Sequence, residues 1–398
     1  RDTDRSRGLG DVYKRQAEAV ADACQLLVLI VVIKAARVLA DDELCVAALD
    51  RHGRFGVLDL QCAVCVVQLE RRHFLVAAHK VVRFRADDIR LRRGNVHFQK
   101  RAAHETYGYS YPTDEYLQAC VGWQKRRNDW EIQPDWIIFT PGVNMALVCA
   151  IEMYTQPGEN VIIQSPVYYP YYDYVNKTKR NIVLNELVNH DGRYEINFDQ
   201  LEELAKDPKT KIMLLCSPHN PVGRAWTKEE LERIGRICID NGVMIAVDEI
   251  HSDLVYAPHK HIPFAAISEE FAQHSIICTS PSKTFNLAGL LVSDIIIPSD
   301  SIRAAFREKM EPYYLWPGNF GSVAQIAAYN ESEDWLEELL VYLKGNAEFL
   351  AEFLAQRMPR VKYQIPEATY LAWLDFRALG LSNEELWDLM IHKAKVAT

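Results

Sequence analysis

From residue 100 onward, short apolar runs alternate with stretches of helical periodicity. Trp136 to Thr140 reads as a strand closed by Pro141-Gly142, with a helical pattern following to about Tyr154. Pro157-Gly158 turns the chain into a second buried strand, Val161 to Gln164. Asn181 to Leu187 and Lys211 to Cys216 have the same character. Thr227 and Glu230 stand at capping-box spacing before a helix that puts Leu231, Ile234 and Cys238 on one face. Asn241-Gly242 stops that helix. Val243 to Val247 is an apolar strand ending at Asp248, and Ser275 to Thr279 and Leu291 to Ile297 are two more. Strands apolar on both faces and alternating with helices predict an α/β fold with a mainly parallel sheet. Ligands of such sheets bind at the carboxyl ends of the strands.

Past about residue 300 the pattern turns helical. Asp334 to Phe353 is amphipathic, Tyr370 to Phe376 alternates as a strand, and Ser382 with Glu385 caps another helix. These predict a second, smaller α+β domain, expected to stop short of its closing element at Thr398. The expected division is a large domain over 100–337 and a truncated small domain over 338–398.

The first quarter has a different texture. All 17 prolines and all 8 tryptophans lie after residue 99. Residues 1–99 carry a net charge of +4 and the remainder −13. Its apolar runs, such as Cys62 to Val67, fit no clear period. Residues 1–16 resemble a translated adapter, and 17–99 read either as an extra domain or as an out-of-frame segment replacing a native beginning. Cys62 and Cys65 have metal-ligand spacing but no second pair.

Composition narrows the class. The chain has 398 residues, is 49% hydrophobic and carries a net charge of −9. That is enough for two cores and argues against nucleic-acid or anionic-membrane binding through bulk charge. Nine cysteines, an odd number widely spread, suit a reducing, cytoplasmic setting. The longest purely apolar run, Leu26 to Ile33, is too short to span a bilayer.

Four polar clusters fall at predicted strand ends. Ser280-Pro-Ser-Lys-Thr-Phe-Asn286 offers a lysine among small hydroxyls, suited to a Schiff-base nucleophile beside a phosphate. The plain alternative is a loop lysine. Asp248-Glu-Ile-His251 offers a carboxylate for a protonated heterocycle nitrogen, or simply a helix cap. Cys216 to Arg224 forms a tight loop in which Asn220 presents an amide, or is turn chemistry alone. Thr140-Pro-Gly-Val-Asn144 leads into a helix whose free N–H groups suit an anion. His259 and His261 lack further ligands at zinc spacing and read as loop residues. Trp123 to Arg127 reads as a solvated basic helix face, and Tyr168 to Tyr172 mostly as packing or dimer surface.

In their order, these clusters resemble the fold-type I, pyridoxal-phosphate-dependent class I/II aminotransferase family. The narrower resemblance is to its cystathionine β-lyase branch, including the maltose-regulon modulator type. It is carried by Tyr107-Gly-Tyr-Ser-Tyr-Pro112, Ser217-Pro-His-Asn-Pro-Val-Gly-Arg224, Asp248-Glu-Ile-His-Ser-Asp253, His261-Ile-Pro263, Ser282-Lys-Thr-Phe-Asn286 and Thr369-Tyr-Leu-Ala-Trp373. It implies a pyridoxal-phosphate transferase fold with a seven-stranded large-domain sheet and a smaller, here incomplete, α+β domain. It also implies that Lys283 bonds the cofactor, Asp248 holds the pyridinium N–H and Asn220 the 3′ oxygen, with His251 nearby. Tyr168 would stack on the ring. Val143, Asn144, Ser280 and Ser282 would bind the phosphate. Tyr109 would reach the phosphate of a neighbouring subunit, which implies a homodimer with shared sites. Leu291 stands where many members have a phosphate-binding arginine. The implied activity is α,β-elimination from cystathionine or a related amino-acid thioether, giving a thiol, pyruvate and ammonia. An aminotransferase, or an inactive fragment or regulatory pyridoxal-phosphate-binding protein, are the alternatives. The family's arginine for the substrate α-carboxylate has no match here; Arg377 comes too early.

Overall fold

The computed structural model describes Ile30–Val32 and residues 92–394. The expectations for residues 1–16, for most of 17–99, and for Cys62 and Cys65 lie outside the described residues.

Seven strands form the main sheet: β2 (Ile137–Thr140), β3 (Asn160–Ser165), β4 (Asn181–Glu186), β7 (Thr210–Cys216), β8 (Met244–Asp248), β9 (Ser275–Thr279) and β10 (Ser293–Ile296). The intervening β5 (Val188–His190) and β6 (Arg193–Glu195) make a separate hairpin over Asp191-Gly192. The sheet order is β2-β10-β9-β8-β7-β3-β4, and only β10 runs antiparallel to its neighbours. The mainly parallel seven-stranded sheet is therefore present as expected. β10 is shorter than its apolar run because Leu291 adopts a left-handed backbone, φ 51°, at the end of a helical turn.

Side-chain alternation sends the strands' apolar residues to both faces. Ile163, Leu214, Ala246 and Ile276 pack on one side, against α3 (Val143–Tyr154) and α4 (Pro170–Lys177). Ile162, Met213, Leu215, Ile245 and Val247 pack on the other, against α2 (Asp114–Asn128), α5 (Phe198–Lys206) and α6 (Lys228–Asp240). Each fully buried aliphatic side chain contributes about 1.5–3 kcal/mol relative to exposure. The Thr227–Glu230 capping box forms as predicted and fixes the start of α6. α1 (Arg92–Ala102) packs on a later helix, α8 (Asn319–Glu331), which follows α7 (Asp300–Met310).

α9 (Glu333–Arg357) continues through the expected domain division as one helix. Its Leu336, Leu339 and Leu343 join the large core, whereas Leu354 packs with Val361, Leu374, Phe376 and Leu386 in a separate small cluster. That cluster covers β11 (Lys362–Tyr363), β12 (Leu371–Asp375) and α10 (Asn383–Asp388). β1 (Ile30–Val32) pairs antiparallel with β12. The Trp123–Arg127 segment differs from its expectation. Trp123 is buried against Phe285 and Tyr329, and Arg127 pairs with Glu333 and Glu337.

Candidate active site

The register of the parallel strands aligns Cys216, Asp248 and Cys278 across the ends of β7, β8 and β9. Asp248 is two residues past Ala246, so alternation turns its side chain toward the α3–α4 face. There Tyr171 of α4 donates its hydroxyl to Asp248 Oδ2 at 3.0 Å, and Ile250 N–H donates to Oδ1 at 3.2 Å. Burial pushes the Asp248 carboxyl up to about 6; these hydrogen bonds and the Lys283 ammonium pull the other way. Tyr171, fully buried, has its own pKa raised well above normal by burial and by the Asp248 charge.

A cavity of about 550 Å³ opens over these strand ends. Nine of the ten residues singled out from the sequence line it: Val143, Asn144, Tyr168, Asn220, Asp248, His251, Ser280, Ser282 and Lys283. Tyr109 does not. It is 91% exposed and rests edge-on against Trp316.

Each wall has a local cause. Gly142 starts α3 without a side-chain cap, leaving the helix's first N–H groups directed at the cavity. A Cβ built on Gly142 would meet nothing within 4 Å, so the space before that helix end is open. Lys283 lies in the single helical turn Pro281–Thr284 after β9. Ser280 caps this turn: its Oγ accepts from Ser282 N–H at 3.1 Å and donates to Val292 O at 2.7 Å. The Ser280 hydroxyl proton is thus committed within the protein. Asn220 stands in the loop after β7, where its carbonyl accepts from Tyr168 N–H at 3.1 Å. Its side-chain oxygen is buried without a protein partner, as is Nδ1 of His251. Burial, then the nearby Lys283 charge, drives the His251 pKa down to about 3, so the ring is neutral. Two buried polar atoms left unpaired beside a cavity call for a polar ligand.

The Asn220 loop is strapped to the chain entering β12. Gly223 O accepts the N–H groups of Glu367 and Ala368, and Arg224 pairs with Glu367 at 2.9 Å and with Glu230. Gly223 has φ +71°, and a Cβ there would lie 2.5 Å from Pro366 Cβ. Gly223→Ala is expected to destabilise the fold by about 1–3 kcal/mol, read as a lowered urea midpoint.

The aminotransferase class I and II profile matches residues 86–398. The chain belongs to that family. It is 44% identical over 299 residues to cystathionine β-lyase PatB of Bacillus subtilis, covering 75% of this chain and 77% of that protein. It is 33% identical over 302 residues to the Escherichia coli protein MalY, covering 75% and 76%. The solved structure of Treponema denticola cystalysin, which contains pyridoxal 5′-phosphate, superposes with a TM-score of 0.75 at 39% identity, covering 77% of this chain and 78% of that one.

Sequence reasoning missed several residues in and around this cavity. Tyr171 was read as packing, yet it holds Asp248. Tyr370 lines the cavity and sets its ring edge-on to His251 at 5.5 Å. His261 is more than a loop residue: its Nε2 lies 3.0 Å from the buried Glu249, which also accepts from Phe264 N–H. Arg377 forms an ion pair with Asp375 and does not line the cavity.

Proposed function

We propose that the protein is a pyridoxal-phosphate-dependent carbon–sulfur β-lyase acting on cystathionine or a related amino-acid thioether. The observation that carries this is the meeting of Lys283, Asp248 and the unpaired Asn220 side-chain oxygen in one cavity at aligned strand ends. The 44% identity to a cystathionine β-lyase supports the choice of bond cleaved.

The residues present fit the cofactor. The Lys283 amine would anchor its aldehyde, and Asp248 would hold its ring nitrogen protonated. The Asn220 amide would hydrogen-bond the ring hydroxyl oxygen, and Tyr168 would wall one face. The α3 N-terminus at Val143 and Asn144, with the Ser280–Ser282 turn, would bind the phosphate. When bound, pyridoxal phosphate supplies the electron sink for carbanion chemistry. Once the substrate's own amine has taken its place on the aldehyde, the freed Lys283 amine would take the proton from the substrate α-carbon as general base. The β-carbon–sulfur bond then breaks, and the thiolate leaves with its electron pair. Water added to the remaining three-carbon unit gives pyruvate and ammonia. The ionised Asp248 would sustain the positive ring charge that favours this proton loss.

A homodimer with shared sites is part of this reading, supported by the exposure of Tyr109 and its contact with Trp316 outside the chain's own cavity. The five described cysteines are free and buried, which supports a reducing, cytoplasmic setting.

The test is product analysis of the purified protein supplied with pyridoxal phosphate and cystathionine. Equimolar pyruvate and thiol without an added keto acid is the expected result. Amino transfer that requires a keto acid would replace the lyase reading with an aminotransferase.

A further inference from the structure

The turn that carries Lys283 is held from behind by one buried carboxylate. Thr284, the next residue, donates its hydroxyl to Asp253 Oδ2 at 2.7 Å. Trp123 Nε1 donates to Asp253 Oδ1 at 3.1 Å. All three side chains are buried, and none lines the cavity. Asp253 belongs to the segment leaving β8 that also presents Asp248 and His251 to the cavity. A single carboxylate therefore ties the strand end bearing Asp248 to the turn bearing Lys283.

The anchor on the far side is itself fixed. Trp123 stacks on Tyr329 at 5.1 Å and meets Phe285, the residue after Thr284, edge-on at 5.5 Å. A helical turn of four residues has few hydrogen bonds of its own. Ser280 holds its start, and the Asp253 contact holds its end. A neutral acceptor could make that tie at lower desolvation cost. A carboxylate makes the shorter bond, about twice as strong, which is worth having where an amine must be kept in one place.

We infer that Asp253 is a positioning residue for Lys283, acting through Thr284 to fix the amine relative to Asp248. This rests on the reading of Lys283 as cofactor anchor. The titratable and charged groups facing Asp253 include Arg127 from α2 and His261 from the segment after β8; those facing Lys283 include Asp248 and the His251 ring.

The experiment compares wild type with Thr284→Val, Thr284→Ser and Asp253→Asn, each supplied with pyridoxal phosphate. Three quantities are read: the share of Lys283 peptide labelled after borohydride, the pH midpoint of the visible absorption band, and kcat and KM separately. Thr284→Val should raise the midpoint by about half a pH unit, because the carboxylate behind the lysine loses a donor that disperses its charge. It should lower kcat about tenfold with KM within about twofold, and Thr284→Ser should restore both. Asp253→Asn should lower kcat in the same way. If that variant does not fold, the two Thr284 variants decide the matter. A Thr284→Val protein with wild-type midpoint and kcat, changed only in melting temperature, overturns the positioning role. A wild type whose Lys283 is never labelled overturns the anchor reading, and this inference with it.

Discussion

Lys283→Ala is expected to abolish covalent capture of pyridoxal phosphate and to lower thioether cleavage by at least about 10²–10⁴-fold, the range set by loss of a positioned general base alone. The side chain lies in the cavity, but the turn around it does not depend on it. Ser280 caps that turn, Phe285 N–H bonds Pro281 O, and Thr284 is tied to Asp253. Alanine should therefore leave the fold and the melting temperature nearly unchanged. The measurement is the visible spectrum with pyridoxal phosphate before and after borohydride, followed by peptide mapping. Wild type should show a band that reduction fixes to the Lys283 peptide, and the variant should show neither. Survival of both in the variant would place the anchor elsewhere. Lys283→Arg should fail as fully as alanine, because a guanidinium stays protonated and supplies no nucleophilic amine.

The parts of this site that could be read from sequence are those encoded locally. β8 is an apolar run that stops at a carboxylate, so both the strand and the place of Asp248 at its end follow from neighbouring residues. The same holds for Lys283 after β9 and Asn220 after β7, because strand ends in a parallel sheet meet in space. What escaped depends on contacts across the fold. Tyr171 reaches Asp248 from 77 positions away, and nothing in the aromatic run distinguishes it from its neighbours. Trp123 looked like part of a basic surface because Arg126 and Arg127 adjoin it, yet the helix turns the indole inward and the guanidinium groups toward Glu333. The Glu249–His261 pair has no ligand-like spacing, since its geometry comes from the loop at Phe264. The pairing of Ile30–Val32 with β12 was equally hidden. An apolar run without alternation carries no signal for register.

Asp248→Asn is expected to reduce activity by about 10²–10³-fold while making the cofactor-free protein more stable at neutral pH. The two effects have one cause. Burial raises the Asp248 carboxyl from its ordinary 3.8 to about 6, despite the donors Tyr171 and Ile250 and the Lys283 charge. Below about pH 3 the carboxyl is mostly protonated in both folded and unfolded chains, and the shift has little effect on stability. As pH rises toward 6 the unfolded chain ionises first, so stability falls. Above 6 the folded protein bears the full difference, on the order of 3 kcal/mol for a shift of that size. Asparagine removes this pH dependence. Because one of its two side-chain atoms is an NH₂ facing the existing donors, the net gain is about 1–2 kcal/mol. Thermal unfolding of both proteins at pH 3, 6 and 8 checks the sign: the variant should lie below wild type at pH 3, where only the misplaced NH₂ counts, and above it at pH 8. A variant less stable than wild type at pH 8 would mean that the carboxylate is stabilised by contacts stronger than its desolvation. With pyridoxal phosphate present the order should narrow or reverse, since a protonated ring nitrogen gives the wild-type carboxylate the partner the cavity otherwise lacks. A charge kept buried at the expense of the empty protein's stability, and recovered when the ligand arrives, is what a group retained for chemistry should show.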